Sequence, residues 1–148
     1  FHASGNVEEP LFDLRDETKP ISLSYTSGTT GNPKGVVYSH RGAALNALGN
    51  VLAVGLSSSS TYLWTLPLFH CDGWTHPWSV TSVGGTHVCL RAIDPVEVFR
   101  LIDAEDVTHM AAAPIVLSML IHAPDDAKPT TVRSVPVQVL KIDPGMSK

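Results

Sequence analysis

The sequence predicts an α/β domain, a mostly parallel sheet flanked by helices. Three observations carry this. Short β-branched or alternating runs bounded by Gly, Pro and Ser recur along the chain, as in ISLSYTS, TYLWTLP and THVCL. Segments with helix-start signals fall between them, at Ser39, at Asp94-Pro95 and at Pro114. The resulting order of strand, helix, strand, helix favours parallel pairing with right-handed crossovers.

Each element has a local cause. Residues 1–20 are polar and acidic, with Pro10 and Pro20 as breakers, and read as an irregular approach to the first strand. ISLSYTS alternates, with Ile21, Leu23 and Tyr25 on one face, and GVVY at Gly35 to Tyr38 is a second short strand. Ser39 can cap a helix in which Leu45, Leu48 and Leu52 recur at spacings of three and four, an apolar stripe. Gly55 and the Ser57 to Ser60 tract connect to TYLWTLP, which Pro67 stops, and Gly84-Gly85 turns the chain into THVCL. Asp94 as N-cap, Pro95 at the first helical position and Glu97 three residues after the cap open a helix buried through Val96, Phe99, Leu101 and Ile102. Residues 107–112 make another strand, and Pro114 starts the helix IVLSMLIHA.

Composition narrows the function. With 43% hydrophobic and 16% charged residues in 148, the chain is one globular domain or part of one. A net charge of −4 and scattered Lys and Arg give no basis for binding nucleic acid. No apolar run approaches the roughly 20 residues that span a bilayer, so no transmembrane segment is expected, and no basic-then-apolar leader opens the sequence. Cys71 and Cys89 are too few for a disulfide framework; reduced thiols point to an intracellular, cytoplasmic protein, with peroxisome or mitochondrion left open. The first residue is Phe, and KIDPGMSK follows the last apolar segment without a closing element, so a fragment is expected.

The chemistry concentrates in YTSGTTGNPKG, Tyr25 to Gly35. Glycines allow close backbone approach and unusual dihedrals, while hydroxyls and a lysine add donors and charge. Ser27, Gly28, Thr29, Thr30, Gly31 and Lys34 together have the composition of a phosphate loop. It is neither the Walker pattern, because no Ser or Thr follows Lys34, nor G-x-G-x-x-G, and it lies between two strands rather than at a helix start. The bland alternative is a solvated hairpin. A second concentration is LFHCDGWTHPW, where His70, Cys71 and Trp74 sit in a turn between Pro67 and Gly73 and its flank. An imidazole beside an indole suits an apolar pocket with one polar contact, and a surface turn with Trp74 and Trp78 packed inward is the alternative. His70, Cys71, His76, His87 and Cys89 lack the spacing of familiar zinc sites, and His70, Cys71 and Asp72 are consecutive, which disfavours a thiol relay. His40, His109 and His122 read as structural, and Glu97, Asp103, Glu105 and Asp106 as a solvated face.

YTSGTTGNPKGVVYSHRG resembles the phosphate-loop signature of the adenylate-forming acyl-activating enzymes, the superfamily of acyl-CoA synthetases, luciferases and peptide-synthetase adenylation domains. TLPLFHCDGW resembles the family's second motif, whose histidine and aromatics line the acyl pocket, and GGTHVCLRAIDPVEVFRLIDAEDVTHMAAAPIVLSML resembles the next βαβ stretch of the fatty-acid group. The resemblance implies a partial AMP-binding domain over residues 1–140, part of a large N-terminal domain, and a divergent tail over 141–148. It implies ATP with Mg²⁺, coenzyme A as co-substrate and a carboxylic, fatty acid as the small-molecule partner. Thr26 to Gly31 would bind the β- and γ-phosphates, Lys34 would be their cation, and His70, Cys71 and Trp74 would line the acyl site. The family's adenine-binding segment, its magnesium-binding glutamate motif, its ribose-binding aspartate and its C-terminal lysine have no counterpart after PVQVL. Negligible ligase activity is therefore expected of the chain alone, with no confident catalytic residue, and the exposed sheet edge would need the rest of the fold or a partner to cover it. The rival readings are a non-catalytic short product acting as a binding or regulatory fragment, and an unrelated phosphate-binding enzyme such as a kinase.

Overall fold

The computed structural model describes residues 15–26, 31–129 and 134–139. Most of the irregular N-terminal approach, the 141–148 tail, and Ser27, Gly28, Thr29 and Thr30 lie outside the described residues. The elements are β1 (Pro20–Thr26), β2 (Lys34–Ser39), α1 (His40–Val54), β3 (Thr61–Trp64), α2 (Cys71–Trp74), α3 (His76–Ser82), β4 (Thr86–Cys89), α4 (Pro95–Ala104), β5 (His109–Ala112), α5 (Pro114–Ile121) and β6 (Val137–Val139).

Two sheets form. β4, β3, β5 and β6 make a parallel sheet in that order, with Leu63 of β3 opposite Val88 of β4 and Met110 of β5. β1 and β2 pair antiparallel and stand apart from it. The short stretch 27–33 joins them, and a parallel crossover needs a dozen residues or more, so a hairpin is the accessible geometry.

The pleat of β3 explains the two cores. Leu63 points to one face, where it packs with Val88, Met110 and Ala112 against Val98, Leu101 and Ile102 of α4 and Val116 of α5. Tyr62 and Trp64 point to the other, with Ala111, Leu56 and Val80 of α3. Each full burial of a Leu or Val side chain such as Leu63 or Val98 contributes about 1.5–3 kcal/mol.

Two expected faces are corrected. In α4 the buried stripe is Val98, Leu101 and Ile102, whereas Val96 is 55% exposed. Residues 98, 101 and 102 share a face at i, i+3 and i+4, and Val96 lies about 200° from Val98 around the axis. In α1 the leucine stripe faces outward: Leu45, Leu48 and Leu52 are 64%, 56% and 85% exposed. Ala43 and Ala47 are the buried residues, continued by half-buried Asn50, Val51 and Val54, and small alanines let α1 lie close to α3. The ends of α1 are as the sequence predicts, with Ser39 Oγ accepting from the Gly42 N–H at 3.1 Å and Gly55 closing the helix at φ 72°.

Candidate active site where a hairpin meets a left-handed turn

The hairpin fixes the two ends of the glycine loop. Its ladder runs as far as Thr26 opposite Lys34, and the Thr26 hydroxyl donates to the Lys34 carbonyl at 3.5 Å. Gly31 and Lys34 are exposed at the loop's exit, and Gly31 has φ 147°, a conformation that favours glycine. The structure thus brings Thr26 and Lys34 together; Ser27, Gly28, Thr29 and Thr30 lie between them, outside the described residues.

Alternation gives the hairpin two unlike faces. Leu23 and Tyr25 turn outward, 53% and 66% exposed, although the sequence pattern groups them with Ile21 as an apolar strand face. The serine face is the one that docks: Ser22 and Ser24 donate to the two carboxylate oxygens of Asp72 at 2.7 and 3.2 Å. Tyr38, opposite Ser22, is half-buried beside the same turn, and burial first, then Cys71 and Asp72, raises its pKa.

The docked turn is α2, and its backbone is left-handed. Cys71, Asp72, Gly73, Trp74 and Thr75 have φ of 50°, 49°, 57°, 59° and 61°. Four of the five carry a Cβ, and left-handed geometry costs roughly 1–2 kcal/mol per such residue. Such strain persists only where the surroundings over-determine it. Here three elements do so. β1 holds Asp72; Asn50 of α1 donates to the Trp74 carbonyl at 2.8 Å and to the Thr75 hydroxyl at 2.9 Å; His76 Nδ1 of α3 lies 3.2 Å from the Gly73 carbonyl, to which a protonated Nδ1 donates. Burial lowers the pKa of His76, whose ring stacks on Tyr62 at 4.7 Å.

An open cavity of about 550 Å³ lies where hairpin and turn meet, lined by Leu23, Ser24, Tyr25, Leu68, Phe69 and Asp72. His70 is exposed, Cys71 and Trp74 are half-buried, and Trp74 packs on the Tyr62–Trp64 core. Cys71 Sγ is 3.9 Å from His70 Nε2, but Asp72 is turned away to the serines and does not orient that imidazole. A second cavity of about 430 Å³ follows on the other side of Leu68, with Leu66, Pro77, His87 and Cys89 in its wall. There Trp64 Nε1 donates to His87 Nδ1 at 2.9 Å, which leaves the proton on Nε2, 3.0 Å from the Thr81 hydroxyl. Burial lowers the pKa of His87, in keeping with a ring that must stay neutral to accept from indole.

Other histidines have local roles. His109 bridges Thr108 and the Val54 carbonyl, and His122 caps α5 through the Ser118 carbonyl at 2.8 Å. Glu97 pairs with Arg100 at 2.7 Å on the outside of α4, and Asp103, Glu105 and Asp106 are exposed. Sequence reading missed Ser22, Ser24 and Asn50. The period-two serines of β1 are the one signal that could have marked them.

A model of the AMP-binding enzyme family matches residues 3–140. A peroxisomal acetate/butyrate–CoA ligase of Arabidopsis thaliana is 48% identical over 126 residues, covering 85% of this chain and 22% of that protein. A peroxisomal benzoate–CoA ligase of the same plant is 47% identical over 130 residues, covering 88% of this chain and 22% of that one. The chain therefore spans about a fifth of the length of these curated relatives. Among solved structures, o-succinylbenzoate CoA synthetase from Bacillus subtilis in complex with its acyl-adenylate intermediate superposes with a TM-score of 0.75 at 26% identity, over 87% of this chain and 33% of that one.

Proposed function

This chain belongs to the AMP-binding enzyme family, and from that premise we propose that it is the phosphate-loop and acyl-wall segment of an ATP-dependent acid–CoA ligase. The observation that carries the reading is the hairpin register that sets Thr26 opposite Lys34 at the two ends of the TSGTTG loop. The register fixes the separation of the loop's two ends, and donors preorganised for an anion are what stabilising a departing pyrophosphate requires.

In the proposed reaction a carboxylate oxygen attacks the α-phosphorus of ATP, the bond to the β-phosphate oxygen breaks, and pyrophosphate leaves with the electron pair. The thiol of coenzyme A then attacks the acyl-adenylate and AMP departs. Thr26 to Gly31 would hold the β- and γ-phosphates and Lys34 would offset their charge. Among the described residues no group of three His, Cys, Asp or Glu side chains is placed to hold a metal ion. Mg²⁺ would arrive as the ATP complex, on phosphate oxygens, a common mode for this ion. Leu68, Phe69 and Asp72 line the cavity and would form one wall of the acyl site, to which His70, Cys71 and Trp74 of the same turn would contribute once substrate is bound. The relatives' names support a small carboxylic acid such as butyrate or benzoate as the first substrates to try, and a fatty acid is the longer member of the same class. Those names also support the peroxisome over the cytoplasm, which fractionation of the native source would test.

Binding of Mg·ATP and of pyrophosphate to the 148-residue chain tests the reading, by equilibrium dialysis. Lys34→Ala should weaken both about tenfold or more while leaving the melting temperature unchanged, because Lys34 is exposed. Equal binding by Lys34→Ala and the native chain would refute the assignment. The 148 residues by themselves should give no ATP-dependent pyrophosphate exchange, since they span about a fifth of the length of the curated relatives, and a clear exchange signal would overturn that expectation.

A further inference from the structure

We propose that Asp72 is a positioning residue that couples the acyl wall to the phosphate loop, through Ser22 and Ser24. The inference rests on the reading of the hairpin as the phosphate grip. Ser22 and Ser24 occupy one face of β1, the strand that ends at Thr26 where the loop begins, and both donate to Asp72. Asp72 in turn sits inside the left-handed stretch Cys71–Thr75 and, with Leu68 and Phe69, lines the cavity between hairpin and turn. Hydrogen bonds to an ionised carboxylate are about twice as strong as neutral ones, so one side chain ties two otherwise separate units, the hairpin and the turn.

The strain of α2 gives this tie a mechanical sense. A backbone held left-handed at Cys71, Asp72, Trp74 and Thr75 relaxes when one of its anchors is removed, and relaxation moves His70, Cys71 and Trp74 relative to the loop. Asn50 and His76 anchor the same turn, but from α1 and α3. Asp72 is the anchor that reaches β1 of the hairpin, while Tyr38 of β2 lies beside Cys71 of the same turn. Filling of the phosphate loop should therefore steady the acyl wall, and the two substrate positions should be set together rather than independently.

The test is hydrogen exchange with mass spectrometry on the 148-residue chain, reading the peptides that contain β1–β2 and residues 68–78. Without ligand, Asp72→Ala should raise exchange roughly tenfold in both peptides, the scale expected when charge-assisted bonds are lost from a local opening unit. Asp72→Asn, which keeps an acceptor oxygen, should fall closer to the native chain. The double variant Ser22→Ala/Ser24→Ala removes the clamp from the hairpin side with minimal change of shape. It should loosen residues 68–78 as Asp72→Ala does, and it carries the test if Asp72→Ala does not fold. Added Mg·ATP should protect the hairpin peptide and, through the clamp, residues 68–78, with the second effect lost in Asp72→Ala and kept in Asp72→Asn. Loosening of the turn with an unchanged hairpin in Asp72→Ala, or an unchanged turn in Ser22→Ala/Ser24→Ala, would overturn the proposal. Absence of Mg·ATP protection in the native chain would instead overturn the phosphate-grip reading, and the ligand-free comparison would still decide the clamp.

Discussion

Replacing Gly73 by alanine should be among the costliest single-methyl additions in this chain. Gly73 has φ 57°, and a Cβ built on it lies 2.6 Å from Trp64 Cζ3, 3.1 Å from Trp64 Cη2 and 3.2 Å from Leu68 Cδ2. Trp64 cannot step aside freely, because its ring is buried and its N–H is engaged by His87. Overpacking of this kind costs about 1–3 kcal/mol, and left-handed geometry with a Cβ adds about 1–2 kcal/mol. The sum, about 2–5 kcal/mol, is a large part of the roughly 5–15 kcal/mol that holds a domain folded. Gly55 is the control: it has φ 72°, but an added Cβ there would meet nothing within 4 Å, so Gly55→Ala should cost only the backbone part. In urea denaturation at an m-value of about 1.5 kcal/mol/M, Gly73→Ala should lower the midpoint by about 1–3 M, and Gly55→Ala by about 1 M. Trp64→Phe removes the clashing ring atoms, so the double variant should lose less than the two single losses added together. Equal midpoints for Gly73→Ala and Gly55→Ala would refute the steric account.

Three further outcomes follow from the same packing. Asn50→Asp replaces a donor by a carboxylate facing the Trp74 carbonyl and the Thr75 hydroxyl, and should destabilise by about 1–3 kcal/mol, more than Asn50→Ala, in thermal melts. His76 and His87 have folded pKa values below the ordinary 6.5, through burial. Above pH 6.5 both states are neutral and their contribution to stability is complete; as pH falls below it the unfolded chain takes up protons that the folded rings resist. The urea midpoint should thus fall from pH 7.5 to pH 5, and His76→Phe/His87→Gln should flatten that slope; an unchanged slope would count against it. Leu52→Glu, at an 85% exposed position, should change stability by less than about 0.5 kcal/mol while reducing self-association in sedimentation.

The sequence made the scaffold legible where local rules and tertiary packing agree. Asp94, Pro95 and Glu97 announced α4, Ser39 and Gly55 bounded α1, and the short runs TYLW, THVC and HMAA became strands of the parallel sheet while ISLSYTS and GVVY became the antiparallel hairpin. Faces were harder. The leucine spacing in α1 is a sound helical period, yet alanines took the face that meets α3, and a single sequence does not say which of two stripes meets a neighbour. Val96 failed for the same reason, since a residue just past an N-cap is as close in sequence to the apolar stripe as it is far around the helix.

The candidate site divides along a physical line. The proposed phosphate loop is legible in composition, because glycine, hydroxyls and lysine state in their own chemistry what they can do. The turn opposite it gives no such notice. Cys71, Asp72, Trp74 and Thr75 are left-handed without being glycine, so nothing intrinsic to those residues prescribes the conformation; Ser22, Ser24, Asn50 and His76, drawn from three other elements, impose it. A conformation imposed from a distance of about 50 residues is invisible to any local window, since Ser22 and Asp72 meet only once β1 has paired with β2 and docked. That dependence also makes the turn a sensitive place. Its geometry reports whether the hairpin is seated, and a site whose acyl wall forms only when its phosphate grip is in place would bring the two reacting groups into register by folding alone.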